Sequence, residues 1–475
     1  MNAPLWTFED LVQAAGGVAG GTAPMPLTGF SIDTRTLKPG DIFVALKDQR
    51  DGHDFVTSAF AKGAGAAIVS ASYVRQTGDG ALVRVADPLK GLEGVARAAR
   101  SRLSPAARVI AVTGSVGKTG TKEMLKACLS LAAPGRVHAA DKSFNNHWGV
   151  PLTLASMPAG TIFGVFEIGM NHAGEIAPLT RHVRPHVAII TTVEAVHLEH
   201  FASVEDIAEA KSEIFLGLEK GGVAIISHDN AHYTLMERRA REAGCTVRSF
   251  GLTAGSQVRP SRWDLGPDGS DITVTLSGRE VAYRVAAPGA HIAQNSLAVV
   301  AALDAVGVHA GQASKALAEM PAPHGRGSRT VLSLQTGDML LIDESYNANP
   351  ASMRSALAAM ATVPRERYGR RVAVLGDMLE LGADAANLHA GLAEAIHAAN
   401  VDVVFLSGPQ MAHLNAVLPQ DMRGGWAKNS TEIKETLLSS LAAGDAVMIK
   451  GSNGSRMAPL VEAIKEKFSA NRRSQ

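Results

Sequence analysis

The feature that most constrains the fold of this chain is a short glycine-rich segment between an apolar run and a helical pattern. The apolar run is Arg108-V-I-A-V-T, the segment is Gly114-S-V-G-K-T, and the helical pattern extends from Lys118 to about Leu131. A loop between a strand and a helix presents backbone N–H groups and the positive end of the helix to phosphate oxygens. In such a loop Lys118 would neutralise β/γ-phosphate charge, and the Thr119 hydroxyl would ligate Mg²⁺. The sequence therefore predicts a nucleotide-triphosphate site.

This loop is shorter than the general phosphate-loop pattern. A glycine is usual six residues before the lysine, and Val112 stands there instead. A chance Gly-Lys-Thr in a glycine-rich chain is the alternative interpretation, and the placement between a strand and a helix argues against it.

Apolar runs and helical patterns alternate along the whole chain. With 475 residues, the chain is long enough for about three domains of roughly 150 residues each. Strand–helix alternation is typical of parallel sheets covered by helices on both faces. Residues 101–105 and the Pro/Gly-rich residues 320–329 fit linkers. We therefore predict an α/β protein of three domains, in which a central P-loop parallel-sheet ATPase domain (105–322) is flanked by a small N-terminal α/β domain (1–104) and a C-terminal Rossmann-like domain (323–475).

Individual strands can be placed from short β-branched runs. An alternating stretch over residues 271–285 predicts a hairpin that turns at Ser277 and Gly278, and a helix is expected over residues 293–306. The predicted buried strands begin near Asp41, Ala66, Ala81, Arg108, Gly164, His186, Val223, Met339, Val372, Asp402 and Ala446.

Charge and cysteine content narrow the partners and the compartment. Lys plus Arg is 46 and Asp plus Glu is 45, so the net charge of +1 offers no basic excess for a nucleic-acid backbone. The two cysteines, Cys128 and Cys245, cannot form a disulfide scaffold, and a reducing cytoplasm fits them. The N-terminus lacks a secretory pattern, and no run approaches the ~18 apolar residues of a membrane span. A cytoplasmic monomer that binds no nucleic acid is the expectation.

One lysine lies where a core residue is expected. A helix capped by Ser203 carries an apolar stripe, and Lys211 lies on it, four residues after Ile207 and four before Phe215. A desolvated lysine has a lowered pKa and can be a neutral nucleophile. On the residues alone, a lysine at the edge of the stripe with its amine in solvent is the commoner alternative.

Polar side chains also follow predicted strands, where open α/β sheets bind ligands. Glu167 ends one strand and could bind Mg²⁺ or form a structural ion pair, and His197 follows the next strand as a metal or phosphate contact. Asp343 could contact a ribose or a phosphate, or cap a loop. Asn145 and Asn146 could donate to a phosphate or carboxylate, or only make a turn.

Eight motifs in a fixed order resemble the Mur ligases, the ATP-dependent amide-forming enzymes of peptidoglycan precursor synthesis. The N-terminal S-I-D-T-R from Ser31 is, in addition, similar to the UDP-sugar domain of that family. The eight are T-G-S-V-G-K-T from Thr113, F-N-N-H-W-G-V-P-L-T-L from Phe144, E-I-G-M-N-H-A-G-E-I from Glu167, V-H-L-E-H-F from Val196, A-K-S-E-I-F from Ala210, D-E-S-Y-N-A-N-P-A-S-M from Asp343, L-G-D-M-L-E-L-G from Leu375 and K-G-S-N-G-S-R-M from Lys450.

The resemblance implies an ADP-forming ligase of cell-wall biogenesis, a process on which cell shape and division depend. S-Y-N-A-N-P favours the branch that adds D-alanyl-D-alanine to UDP-N-acetylmuramoyl-tripeptide through an acyl phosphate, and the D-N-P-R motif of the branch that adds a diamino acid is not found. The alternatives are another amino-acid-adding Mur ligase and a folylpolyglutamate synthase, which typically lacks the first domain. Two further alternatives are a P-loop NTPase switch and a non-enzymatic nucleotide-sugar binding protein.

The resemblance also implies roles for residues that match the family's motifs. It assigns the first domain to the UDP-sugar substrate and the third to the amine substrate. Lys118, Lys211 and His197 are the implied catalytic residues, with Lys211 carbamylated by CO₂. The implied ATP-binding residues are Gly114, Ser115, Val116, Gly117, Lys118, Thr119, Asn295, Arg326, Asp343 and Asn347; the metal residues are Thr119, Glu167, His197 and the Lys211 carbamate; and the substrate residues are Ser31, Arg35, Asn145 and Asn146.

This chain departs from the family pattern at three positions. Gly120 replaces a common Ser or Thr, which weakens one phosphate contact, and Ser212 stands where Gly is usual. Ile292 follows His291 where Asn is usual, which puts a nucleobase contact by His291 in doubt.

Overall fold

The computed structural model describes residues 4–140, 143–196, 198–322 and 324–470, and of residues 469 and 470 only the backbone. The strands in these ranges form a five-stranded sheet, two six-stranded sheets and a three-stranded sheet. None of the helices described there is both long enough and apolar enough to cross a membrane.

The first sheet lies within the predicted N-terminal domain. Its strand order is β1-β5-β4-β3-β2, and only the β1–β5 pair is antiparallel. Helix α3 begins at an Asp87 cap followed by Pro88, a sequence that favours helix initiation. The elements are α1 (Phe8–Ala15), β1 (Val18–Gly20), β2 (Gly29–Ser31), β3 (Asp41–Val44), α2 (Val56–Ala61), β4 (Ala66–Ser70), β5 (Leu82–Val85) and α3 (Pro88–Ser101), with a 3₁₀ turn at Gly52–Phe55.

The central sheet is entirely parallel, in the order β11-β10-β9-β6-β8-β7. Its inner strands β6, β8, β9 and β10 are mostly apolar because helices cover both faces, so that one core lies on each side of the sheet. The elements are β6 (Arg108–Thr113), α4 (Lys118–Ala132), β7 (Val137–Ala139), α5 (Gly149–Ala155), β8 (Phe163–Glu167), α6 (Ile176–Val183), β9 (Val187–Ile190), α7 (Val204–Ser212), β10 (Val223–Ser227), α8 (Tyr233–Glu242) and β11 (Thr246–Phe250), with a 3₁₀ segment at Glu213–Gly217.

A three-stranded antiparallel sheet packs against this domain. Its second hairpin turns at Ser277 and Gly278, both with positive φ, so the predicted turn is confirmed. Apolar residues of this sheet share a core with α9, which was also predicted. The elements are β12 (Pro260–Gly266), β13 (Gly269–Leu276), β14 (Arg279–Val285), α9 (Ala290–Ala305) and α10 (Ala310–Ala313), followed by a 3₁₀ segment at Ser314–Ala318.

The last sheet has the order β15-β16-β20-β17-β18-β19, and only β15–β16 is antiparallel. β20 and β17 are neighbours in the sheet but not in the sequence. The carboxyl ends of these two strands form a crevice of the kind that binds ligands. The elements are β15 (Ser328–Leu334), β16 (Gly337–Glu344), α11 (Pro350–Ala361), β17 (Arg370–Gly376), α12 (Ala385–Ala390), α13 (Leu392–Ala398), β18 (Val403–Ser407), α14 (Met411–Val417), β19 (Arg423–Ala427), α15 (Ser430–Ser440), β20 (Asp445–Lys450) and α16 (Ala458–Ala470), with 3₁₀ turns at Gly382–Asp384, Gln420–Met422 and Asn453–Ser455.

All the strands predicted from β-branched runs are present. The strands that were not predicted, β1, β2, β7, β11, β12, β15 and β19, lie at or next to the edges of their sheets, where the sequence need not be continuously apolar. Of the sheets described, one lies in the predicted N-terminal range, two lie in the central range and one lies in the C-terminal range. The boundaries at 104 and 322 stay a prediction.

The central and C-terminal parts touch at two places away from the phosphate loop. The half-buried Arg329 guanidinium donates to the carbonyl oxygen of Pro267 over 2.7 Å. At the other place, Gly382 lies against the backbone of Glu199. These contacts hold the C-terminal sheet over the end of the central one.

Candidate active site

Two glycines of the phosphate loop occupy positions that exclude a side chain. Gly114 has φ +144° and Gly117 has φ +89°. A Cβ on Gly117 would lie 2.4 Å from the Asn295 amide nitrogen, and one on Gly114 would lie 2.0 Å from the Thr191 hydroxyl. The loop therefore needs glycine both for its backbone conformation and for these close approaches.

The rest of the loop is fixed to the chain that follows β9. The Ser115 N–H donates to the Thr192 carbonyl over 2.8 Å, and the Ser115 hydroxyl donates to the Glu194 carbonyl over 3.1 Å. The Val116 carbonyl accepts a 2.5 Å hydrogen bond from the Thr191 hydroxyl. These bonds hold the loop in shape before any phosphate arrives.

Lys118 is the first residue of α4, and its amine bends back over the loop. Nζ donates to the Gly114 carbonyl over 2.7 Å. Desolvation lowers the pKa of Lys118; the Glu167 carboxylate opposes that shift, and the Arg326 guanidinium adds to it. A partly buried cation at the positive end of a helix is electrostatically unfavourable, and bound phosphate oxygens would offset that charge.

Three hydrogen-bonded side chains lie next to Lys118. The Thr119 hydroxyl donates to one oxygen of Glu167 over 2.8 Å, and the Asn145 amide donates to the other over 2.8 Å. Glu167 ends β8 and is only 3% exposed. A buried carboxylate beside a hydroxyl matches the hard oxygen ligands that Mg²⁺ prefers.

The protein groups available for a metal are few. Within the described ranges, no three His, Cys, Asp or Glu side chains are close enough to hold a metal ion. His197, predicted as a catalytic and metal residue, lies outside the described residues. Thr119 and Glu167 are thus the described pair that fits Mg²⁺, which would need further ligands from its substrate phosphates, from water or from a modified side chain.

Lys211 is buried and has an unfavourable electrostatic environment. It is 2% exposed near the end of α7, whose Ser203 cap accepts from the Asp206 N–H as predicted. Desolvation and the nearby Lys118 both lower its pKa well below the ordinary value of 10.5. The alternative of a lysine reaching solvent at the stripe edge is therefore wrong, and burial favours the neutral form of the amine over the charged form.

A cavity of about 470 Å³ opens beside the loop, between the central and C-terminal sheets. The Arg326 guanidinium lies over the ring of Tyr346, 4.0 Å from its centre, on the C-terminal side. The predicted site residues that line this cavity are Ser115, Val116, Gly117, Lys118, Thr119, Asn145, Glu167, Asn295, Arg326 and Asn347.

Three residues predicted to contact the nucleotide or the substrate instead form hydrogen bonds within the protein. The Asp343 carboxylate accepts from the Gly325 N–H and from both the N–H and the hydroxyl of Ser345, so it caps a loop, as the alternative interpretation had it. The Asn146 side chain accepts from the Gly149 N–H, and Ser31 bonds to the backbone of Asp33. None of the three lines a cavity described here.

A second, more open pocket of about 1,210 Å³ lies on the N-terminal domain. Arg35 lines it, with its guanidinium 2.7 Å from the Asp33 carboxylate. His147 and Trp148 reach this pocket from the central domain, directly after the Asn145 that touches Glu167. One loop therefore connects the two cavities.

The chain matches family models in two stretches. Residues 112–303 match the Mur ligase middle domain, and residues 329–453 match the "Mur ligase, glutamate ligase domain". A UDP-N-acetylmuramoyl-tripeptide–D-alanyl-D-alanine ligase from Escherichia coli (strain K12) is 34% identical over 97% of this chain and 98% of its own length. The chain belongs to the Mur ligase family. The predicted family is thereby confirmed, and with it the prediction of a ligase.

Two further relatives support the assignment. The Bacillus subtilis (strain 168) protein with the same name is 33% identical, over 92% of this chain and 93% of its own length. A crystal structure of MurF from Acinetobacter baumannii has a TM-score of 0.84 at 29% identity and covers 98% of this chain and 100% of that one. The predicted fold class is confirmed. The names of the Escherichia coli and Bacillus subtilis relatives state the activity that the sequence predicts for this chain.

Sequence reasoning missed several residues of this Mur ligase cavity. Glu344 and Lys450 line it as an ion pair at 3.4 Å, and Lys450 also donates to the Asn347 carbonyl over 3.0 Å. His291, whose nucleobase contact the sequence left in doubt, lines it too, and desolvation lowers its pKa. Lys450 and Glu344 stand at the ends of paired strands, β20 and β16, and that shared position was the signal that could have found them.

Proposed function

We propose that this chain joins D-alanyl-D-alanine to UDP-N-acetylmuramoyl-tripeptide, using ATP and releasing ADP and phosphate. The observation that carries the proposal is the hydrogen-bonded contact between the phosphate loop and the Asn145 loop. Thr119 and Asn145 both donate to Glu167, so a triphosphate at one and an acceptor carboxylate at the other would meet. The names of the relatives supply the two substrates.

The chemistry explains why the two loops must meet. A carboxylate does not react with an amine at neutral pH because its leaving group would be oxide. Transfer of the γ-phosphoryl group to the carboxylate gives an acyl phosphate, and the dipeptide amine can then displace phosphate from the acyl carbon. The first step brings two anions together, so cationic groups must offset their repulsion.

This chain's residues have distinct tasks in that reaction. The N–H groups of residues 114–119 and the Lys118 amine hold the β- and γ-phosphates. Thr119 and Glu167 hold Mg²⁺, which when bound neutralises phosphate charge as a Lewis acid. Lys211, as a carbamate, supplies further oxygens to that place, and His197 keeps its proposed task as a catalytic and metal residue. Asn295, Arg326 and Asn347 hold the rest of the nucleotide.

The substrate tasks follow the domains. The pocket at Arg35 holds the UDP-sugar end within residues 1–104, and the peptide runs along the Asn145 loop toward Glu167. The crevice between β17 and β20, within residues 323–475, offers the dipeptide amine. Closure over the 470 Å³ cavity keeps water from the acyl phosphate. A cytoplasmic location and a monomeric state belong to the same proposal.

One assay tests this function. The protein is incubated with ATP, Mg²⁺, the UDP-linked tripeptide and a panel of amines, and the products are read by mass spectrometry. We expect a pentapeptide product with D-alanyl-D-alanine, and ADP release only when both substrates are present. ADP release from ATP alone would favour an NTPase switch, a single amino acid as the preferred amine would favour another Mur ligase branch, and glutamate added to a folate would favour the synthase.

A further inference from the structure

A second buried lysine on the nucleotide helix has no task in the proposed reaction. Lys122 lies on α4, one turn after Lys118, and its exposure is 0%. Removing an ammonium group from water is costly unless strong partners replace the water. The identity of those partners therefore indicates what the residue does.

Within the described part of the chain, the partners of the Lys122 amine lie outside the phosphate loop. Nζ donates to the backbone carbonyl of Ala140 over 2.6 Å. The Glu123 carboxylate lies 2.7 Å from the same nitrogen and balances its charge. Because Ala140 directly follows β7, the bond ties the nucleotide helix to the chain that leaves this edge strand.

Ser143 and Asn145 also lie close to the phosphate loop and to the end of β8. The Ser143 hydroxyl lies 3.4 Å from the Thr119 hydroxyl, and the Asn145 amide donates to Glu167. The Asn145 carbonyl also accepts from the Gly169 N–H over 2.8 Å, which fixes the loop to the end of β8. Ala140 is thus held at Lys122, and Ser143 and Asn145 are held at Thr119 and Glu167.

This arrangement places Lys122 where it can control the acceptor loop without touching a substrate. β7 is an edge strand of three residues, and an edge strand has only one neighbour to hold it in register. Without the Ala140 bond, β7 would lose its tie to the nucleotide helix, while its pairing with β8 and the bond between His138 and the Thr153 carbonyl would remain. The side chains that depend on its course are Asn145 on one side and His147 and Trp148 on the other, so both cavities would be affected.

We propose that Lys122 is a positioning residue that ties the acceptor loop, residues 143–148, to the nucleotide helix, so that Asn145 and Glu167 meet in the orientation that the acceptor requires. The inference rests on the proposed function, since it concerns the tripeptide substrate. Glu123 pairs with the same amine and so helps to hold it at the carbonyl. Lys122 therefore acts on the affinity and orientation of the acceptor more than on the nucleotide.

The test compares three variants in the full chain. Lys122→Met keeps the length of the side chain but removes the donor, and Lys122→Arg keeps charge and donors. Lys467→Met is the matched control, because it loses a 2.7 Å lysine–carbonyl bond to Leu438, remote from the cavity residues. Thermal midpoint, kcat, and KM for ATP and for the UDP-linked tripeptide are measured for each.

We expect Lys122→Met to lower kcat/KM for the tripeptide at least about tenfold, because misplacement of a binding group by about 1 Å can cost up to about a hundredfold. KM for ATP should change less than about twofold, Lys122→Arg should recover most of the loss, and Lys467→Met should behave as wild type. Equal losses for both substrates, or losses that follow the folded fraction, would mean a purely structural lysine and would overturn the inference.

A milder variant covers the case in which Lys122→Met does not fold. Lys122→Gln keeps a donor that is too short to reach Ala140, and it is combined with Asn145→Ala in a double-mutant cycle on kcat/KM for the tripeptide. Coupled effects are expected if Lys122 works through the loop, and additive effects would contradict the proposal. Wild-type protein that forms no amide product rejects the proposed function itself, whereas active wild type with an unaffected Lys122→Met rejects only this inference.

Discussion

The two cavities of this Mur ligase are built differently. Beside the phosphate loop, Glu167 is 3% exposed and already bonded to Thr119 and Asn145. In the N-terminal pocket, the Arg35 side chain is 86% exposed and is paired with Asp33 on the same turn. Buried, prearranged groups can stabilise developing charge, whereas an exposed pair can exchange partners at little cost. The first cavity therefore fits catalysis, and the second fits binding alone.

The largest expected effect is at Lys118. Lys118→Ala should lower kcat at least about a hundredfold, because it removes a partly buried cation from the place where phosphate charge develops. The thermal midpoint should stay close to wild type, since the lost 2.7 Å bond to Gly114 is offset by relief of a desolvated charge. Steady-state kinetics and calorimetry measure the two.

The control for this variant is Lys467→Ala, which loses an equally short lysine–carbonyl bond far from both cavities. It should turn over as wild type does. If Lys118→Ala retained wild-type turnover, the assignment of residues 114–119 to the triphosphate would be wrong.

At Lys211, activity and stability should change in opposite directions. Burial lowers its pKa well below 10.5, so the unfolded chain binds the extra proton more readily than the folded protein does. The resulting cost to stability is greatest below the folded-state pKa and disappears as the pH rises to about 10.5. In bicarbonate-free buffer, Lys211→Met should therefore raise the free energy of unfolding at pH 7, and the difference from wild type should shrink toward alkaline pH.

The activity of Lys211 variants tests the carbamate directly. Lys211→Ala should be nearly inactive, and a small added carboxylate should restore part of the rate by occupying the vacated space. If Lys211→Ala turned over as fast as wild type in bicarbonate-free buffer, the carbamate would be rejected. If Lys211→Met were no more stable than wild type, the inference of a buried, uncompensated amine would be rejected.

Burial, which distinguishes the two cavities, also decides which features the sequence could predict. Buried strands such as β6 and β9 are continuous apolar runs, and Lys211 was noticeable because it interrupts an apolar stripe. Lys450 was missed because the end of an apolar strand does not show which distant carboxylate faces it. Its partner, Glu344, is 106 residues away in the chain, so only the sheet order brings the two together.

The adjacent carboxylates Asp343 and Glu344 test that point with a smaller expected effect. Glu344→Gln should lower kcat/KM for ATP about tenfold, as expected when a hydrogen-bonded charge pair in a binding cavity is disturbed, with little change in stability. Asp343→Asn should instead lower the free energy of unfolding by about 1–3 kcal/mol, because its bonds to Gly325 and Ser345 hold a loop. Kinetics and denaturant unfolding are measured on both variants. If Asp343 contacts the nucleotide, Asp343→Asn would instead lower kcat/KM for ATP with little loss of stability.

The smallest expected effect is in the open pocket. Arg35→Ala should raise KM for the UDP-linked tripeptide about tenfold while kcat stays within about twofold, because a binding group that is equally engaged before and during the reaction affects affinity alone. Its thermal midpoint should not move, since the pair with Asp33 is screened by water. Asp33→Asn is the informative companion, because freeing the guanidinium from its present partner should lower KM if exchange between Asp33 and the substrate is the binding event. A fall in kcat for Arg35→Ala as large as that for Lys118→Ala would mean that the two cavities do not divide binding from catalysis.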